Sequence, residues 1–126
     1  MKIAVIEDSD TDVFIYQETF LNGFDFDRYG FAGDFLEQND LYDVVFLDLN
    51  LPDMMGLELI KAVRSNHDKK LIVVTGTGSG YLRGKNMRDI MCAGADEVFQ
   101  KSFIKQPAYI EMIKGEFICT DLAEQA

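Results

Sequence analysis

Apolar residues in this chain gather into short runs that stop abruptly at polar ones. The run Lys2–Ile6 (KIAVI) stops at Glu7 and Asp8, and Val44–Leu47 (VVFL) stops at Asp48. The run Leu71–Thr75 (LIVVT) closes on a threonine, and Glu97–Gln100 is followed by Lys101. Uninterrupted apolar runs of this length suit strands buried on both faces of a parallel sheet. Phe24–Tyr29 (FDFDRY) alternates apolar and charged residues instead, the period of a strand with one face less buried, near an edge.

The intervening segments carry helical spacing. Ser9 or Asp10 can cap a first helix whose Val13, Tyr16 and Phe20 recur on one face until Asn22-Gly23 stops it. A second helix is expected over about Ala32–Gln38, after which Asn39-Asp40 turns the chain into the Val44 strand. Leu57, Ile60 and Val63, with Arg64 on a basic edge, mark a third helix that ends in the polar loop Ser65–Lys70. Met87, Ile90 and Met91 mark a fourth, closing at Ala93-Gly94. Pro107 suits the first turn of a fifth, with the stripe Ile110, Ile113 and Phe117. Five strands alternating with five helices through short connections predict an α/β fold: a doubly wound parallel sheet with right-handed crossovers and helices on both faces.

Composition narrows this further. A chain of 126 residues with 48% hydrophobic content is the size of one domain, so residues 1–126 are expected to form a single unit. No window approaches the ~20 apolar residues of a membrane span, and the chain enters a strand without a signal-like start, so a cytoplasmic protein is expected. Twelve basic against twenty-two acidic residues give a formal charge of −10, which repels nucleic acid and anionic membrane over most of the surface. Cys92 and Cys119 are isolated, lack metal-ligand spacing and read as free thiols on helices. His67 sits in a polar loop and is given no role.

In a doubly wound sheet the carboxyl ends of the strands line one crevice at the topological switch point. That brings Glu7, Asp8, Asp48, Thr75 and Lys101 together despite their separation in sequence. Three carboxylates in one crevice repel one another and call for a hard divalent cation. Mg²⁺ accepts a site with few carboxylates, keeping positions for water and phosphate oxygens. A lysine to neutralise one phosphoryl oxygen and a threonine to donate to another complete the parts for phosphoryl transfer to a carboxylate. Asp48 is then the nucleophile, and it needs no general base because a carboxylate is already ionised at neutral pH.

Other motifs fail on their own chemistry. TGTGSG with Gly84-Lys85 imitates a phosphate loop but has Ser79 where glycine is needed and Asn86 where serine or threonine is needed. Asp25, Asp27 and Gly30 imitate a calcium loop, yet the twelfth position is Leu36. Asp8, Asp10 and Asp12 make the same false start, with Val13 at the turn glycine.

Taken together, the pair Glu7-Asp8, the LDLNLPDMMG segment with Asp48, Pro52, Asp53 and Gly56, the VVTG segment with Thr75 and Gly76, the CAGADE segment and Lys101 resemble a receiver domain of the two-component response regulators. The resemblance covers nearly the whole chain. It implies a flavodoxin-like fold with strand order 2-1-3-4-5 and transfer of a phosphoryl group from a histidine kinase or phosphotransfer protein onto Asp48. It implies Mg²⁺ held by Asp8, Asp48 and the main-chain carbonyl of Asn50, with Glu7 acting partly through water, and phosphoryl oxygens held by Thr75 and Lys101. Such a module is an acceptor and slow self-hydrolyser more than a turnover enzyme, and it acts on a downstream protein or output domain.

Two alternatives belong to other classes. A haloacid-dehalogenase-like phosphotransferase resembles Asp-x-Asp at this point, and the second acid is here Asn50. A flavodoxin-like binding module without phosphorylation predicts loss of part of the acidic pocket, and every member is present. After Lys101 the chain has room for one helix, so it is expected either to act alone through protein contacts or to be part of a longer protein. It departs from the family pattern at Ser102, where proline usually follows the lysine, and at Val98, where an aromatic usually couples to the threonine. With no ring at Val98, the conformational response is expected mainly in Gly76–Tyr81 and the start of the next helix, with only a small response at Val98.

Overall fold

The computed structural model describes residues 1–65, 69–76 and 85–118. Strands β1 (Ile3–Ile6), β2 (Asp27–Tyr29), β3 (Val44–Leu47), β4 (Lys70–Thr75) and β5 (Glu97–Gln100) alternate with helices α1 (Asp10–Glu18), α2 (Ala32–Leu36), α3 (Gly56–Arg64), α4 (Lys85–Ala93) and α5 (Pro107–Ile113). The strands form one sheet in the order β2-β1-β3-β4-β5, and every neighbouring pair is parallel. The expected 2-1-3-4-5 order is therefore present.

Alternation along the strands sorts the core into two layers. Ile3 and Val5 of β1, Val44 and Phe46 of β3, Ile72 and Val74 of β4 and Phe99 of β5 share a layer with Tyr16 of α1 and Ile113 of α5. Ala4, Ile6, Val45, Leu47, Leu71, Val73 and Val98 lie in the other, with Phe35 of α2, Leu59, Ile60 and Val63 of α3, and Ile90 of α4. Because both faces are covered, β3 is buried along its whole length, which is why its sequence is apolar without alternation.

Three elements differ from the expectation. Helix α1 ends at Glu18, where the Thr19 hydroxyl donates to Ile15 O (2.6 Å) and draws the backbone out of the helical ladder. Phe20 is still fully buried, delivered by the turn that follows. Strand β2 is only Asp27–Tyr29, paired with Ala4–Ile6; Phe24 and Phe26 anchor a non-sheet segment against the α1–α5 layer, so their alternation reports packing alone. Helix α2 stops at Leu36, and a short 3₁₀ turn, Asn39–Leu41, leads into β3.

Lys69, read from sequence as part of a polar loop, is only 6% exposed. Its amine donates to the Asn39 backbone carbonyl and to Asn39 Oδ1 (2.6 Å), at the end of the sheet opposite the acids. His67, Cys119 and residues 77–84 lie outside the described residues. Cys92 is an exposed free thiol. No described helix is long and apolar enough to cross a membrane.

The CAGADE segment is explained by a single arginine. Arg64, at the end of α3, donates to Gly94 O (2.9 Å), Lys69 O (2.7 Å) and Asp96 Oδ2 (2.7 Å), while Asp96 Oδ2 also accepts from Leu71 N (2.7 Å). The α3 terminus, the start of β4 and the turn into β5 are thus tied at one point. Gly94 has φ +131°, and a Cβ there would stand 2.8 Å from Arg64 Cγ. Both the backbone and the space demand glycine. Gly94→Ala is expected to lower stability by about 1–3 kcal/mol. Urea unfolding checks this: the midpoint should fall at unchanged slope.

Candidate functional site

Three sheet ladders run one residue past their strands. Glu7 N donates to Tyr29 O (2.9 Å), Asp48 N to Ile6 O (3.0 Å) and Lys101 N to Thr75 O (2.9 Å). Alternation therefore still holds at these residues. Glu7 continues the parity of Ile3 and Val5, Asp48 that of Val44 and Phe46, and Lys101 that of Phe99, the residues of the α1–α5 layer. All three meet under α1 at the carboxyl edge.

The geometry is a lysine among acids. Lys101 Nζ stands 2.7 Å from Glu7 Oε1, 2.7 Å from Asp12 Oδ2 and 3.0 Å from Asp48 Oδ2. Glu7 is 1% exposed and Asp48 4% exposed, whereas Asp8 is exposed beside them. Adjacent strands lie about 4.8 Å apart, so a residue on β5 must reach roughly 10 Å across β4 to meet one on β3. The lysine stem, passing the end of β4 at Gly76, where a Cβ would stand 2.9 Å from Lys101 Cδ, covers part of that distance, and the Asp48 side chain and the 3.0 Å contact cover the rest.

Three of the four carboxylate oxygens of Glu7 and Asp48 have support besides the lysine. Glu7 Oε1 accepts from the Tyr16 hydroxyl (2.9 Å) and Oε2 from Ser9 N (3.3 Å), and Asp48 Oδ1 accepts from Asn50 N (3.3 Å). Burial pushes the Glu7 carboxyl up from 4.5 to about 7, with Asp48's negative charge adding to the rise and the Lys101 and Tyr16 hydrogen bonds opposing it. The Tyr16 hydroxyl is raised by its own burial and by Glu7. For Lys101, burial pulls the ammonium down, but hydrogen bonds to Asp12 and Glu7 and the charge of Asp48 outweigh it, and the net direction is upward.

The structure brings together Glu7, Asp8, Asp48 and Lys101 as the sequence expects. One carboxylate oxygen from each of Glu7, Asp8 and Asp48 lies within 4.8 Å of the others. Thr75 is fully buried at the end of β4, on the parity of Leu71 and Val73. Asn50 is exposed, and an isolated antiparallel bridge to Met55 closes its loop. In that loop Asp53 accepts from Ala32 N (2.9 Å) and Gly33 N (3.0 Å), which hold its carboxyl below the usual carboxylate range and give α2 the cap that Phe31 cannot supply. Val98 is buried in the α2–α4 layer, and the Lys101–Ser102 bond, like every other among the described residues, is trans. Of the glycine loop, only Gly76 is among the described residues.

Two residues at the site escape the sequence reading. Asp12 is there the negative charge of a helix first turn, and Tyr16 a member of a core stripe. The available signal was their i, i+4 spacing on α1, which puts both on the side that faces the acids.

Comparison with known proteins agrees with this geometry. The response regulator receiver domain model matches residues 3–114. A CheY-like receiver domain protein from Methanospirillum hungatei is 26% identical, with TM-score 0.69 over 99% of this chain and 96% of that one. A Burkholderia pseudomallei response regulator solved with a phosphorylated aspartic acid and a calcium ion shares the fold at 21% identity, with TM-score 0.70 over 99% of this chain and 72% of that one. The cell cycle response regulator CtrA of Brucella ovis is 36% identical over 67 residues, 51% of this chain and 26% of that protein. The matches span only 19% to 28% of the length of such curated relatives. With a family match running almost from end to end on a sheet of the expected order, this chain belongs to the response regulator receiver domains of two-component signalling.

Proposed function

We propose that this domain accepts a phosphoryl group on Asp48 from a histidine kinase or phosphotransfer protein in the cytoplasm and relays the change to a downstream protein or output domain. The observation that carries this reading is Asp48 itself, a carboxylate 4% exposed at the end of the most buried strand, 3.0 Å from an ammonium group and grouped with two further acids. An Asp48 oxygen would attack phosphorus as the phosphorus–nitrogen bond of a phosphohistidine breaks, leaving an acyl phosphate and an imidazole that takes up a proton. Lys101 would hold one phosphoryl oxygen and Thr75 another, acting by position and charge as phosphoryl transfer requires.

Glu7, Asp8 and Asp48 offer hard oxygen donors close enough together to share one cation, which fits Mg²⁺. They would hold it with the Asn50 carbonyl, Glu7 partly through water; when bound, it neutralises charge that would otherwise repel an incoming phosphoryl group. Attack of water on the phosphorus of the acyl phosphate would break its bond to the Asp48 oxygen and return a carboxylate and inorganic phosphate, so release needs only water. Slow self-hydrolysis, with no turnover of a free substrate, follows. The response at the far side would pass through Gly76 and the loop after it, since Val98 has no ring to move.

Two outcomes test the reading. Acetyl phosphate with Mg²⁺ should add one phosphoryl group to the wild type by intact mass and none to Asp48→Ala, and EDTA should abolish labelling; equal labelling of both proteins would remove Asp48 from the role. Since a proton on Glu7 competes with a cation, Mg²⁺ affinity should climb as pH rises through about 7, where the carboxyl loses its proton. Glu7→Gln should flatten that step in a calorimetric titration.

A further inference from the structure

Asp12 belongs neither to the acids that group around a cation nor to the residues proposed to hold phosphoryl oxygens, yet it pairs with Lys101 as closely as Glu7 does, at 2.7 Å. An ammonium group has three N–H bonds. Lys101 donates to Asp12 Oδ2 and Asp48 Oδ2, and its ammonium stands in ion-pair contact with Glu7 Oε1 at 2.7 Å. Two of these three carboxylates are in the cation group, so Lys101 and a divalent cation would contend for the same two carboxylates. If Glu7 and Asp48 turn to a cation, Asp12 is the one of the three that remains.

Its placement suits that duty. Asp12 lies in the first turn of α1, where its N–H donates to Ser9 Oγ (3.3 Å), so the helix start fixes its backbone. Its side chain is 27% exposed against 17% for Lys101, so this pair sits at the rim, whereas Glu7 and Asp48 lie below. One turn further on, Tyr16 holds Glu7 from the same helix. We propose that Asp12 is a positioning residue that retains the Lys101 ammonium when Glu7 and Asp48 turn to a divalent cation, so that both positive charges fit the pocket at once. This rests on the reading that the acids take Mg²⁺.

A double-mutant cycle read by Mg²⁺ calorimetry separates this role from a simple charge effect. Asp12→Asn should weaken Mg²⁺ binding about fivefold in the otherwise native chain and less than about twofold in Lys101→Met, which has no ammonium to displace. Asp12→Glu, which keeps the carboxylate, should bind close to the wild type. Equal losses in both backgrounds would mean that Asp12 acts only as a distant charge, and an equal loss in Asp12→Glu, which keeps a carboxylate within reach of Lys101, would mean that holding the ammonium is not what matters; either overturns the proposal. A wild type that takes no Mg²⁺ at millimolar concentration overturns it together with the metal reading, whereas binding without coupling overturns Asp12's role alone. Should Lys101→Met not fold, the Lys101 ε-methylene resonance of the Mg²⁺-loaded protein decides. It should be ordered in the wild type and averaged in Asp12→Asn, and identical spectra would sink the idea.

Discussion

The ammonium of Lys101 is what permits acids at the end of this sheet. Taking a carboxylate out of water costs several kcal/mol unless charge and hydrogen bonds return it, and Glu7 and Asp48 are both almost wholly enclosed. One cation reaches both, with Asp12 as its third partner. The compensation is incomplete, and the Glu7 carboxyl is pushed up to about 7, because burial and the charge of Asp48 outweigh the lysine and the Tyr16 hydroxyl. A site held this way favours any further positive charge that arrives, which is a physical reason for a receiver domain to keep its acids crowded.

That lysine arrives only because the sheet is built as it is. It lies one residue past β5, two strands from the one that Asp48 follows, and its stem passes the end of β4 where Gly76 leaves room. The topology, with β1 and β3 adjacent at the centre, brings Glu7 and Asp48 side by side, since Ile6 pairs with Leu47. Helix α1 then closes the arrangement from above, its Ser9 cap setting the register that aims Asp12 and Tyr16 downward. Loops around the edge are tied from outside the site: Asp53 fastens the loop after Asp48 to the start of α2.

The opposite end of the sheet has its own fastening, centred on Arg64 and the buried Lys69, and it carries none of the site chemistry. The two edges are therefore held by different residues, the acid edge by Lys101 and the far edge by Arg64 and Lys69. Val98 sits between, a compact side chain packed with the α2–α4 layer in place of a ring.

The fold was legible because burial on both faces writes itself into sequence: Val44–Leu47 and Leu71–Val74 admit no polar residue, and each strand's end is marked by the first one. The acid pair, Asp48, Thr75 and Lys101 were legible for the same reason, as polar residues placed where an apolar run stops. Local competition blurred the rest. The Thr19 hydroxyl shortened α1, and Phe24 and Phe26 alternated without pairing, since a period-two pattern cannot distinguish a strand from an anchored coil. Asp12 and Lys69 were missed because their partners are distant in sequence, 89 residues separating Asp12 from Lys101 and 30 separating Lys69 from Asn39, whereas Tyr16, nine residues from Glu7, was hidden by its place in a core stripe. Sequence determined the strands, the order of chemistry along the chain and the family. Only tertiary structure decided which carboxylates share the lysine, because that follows from the register of five strands and the tilt of one helix, set by packing summed over the whole core.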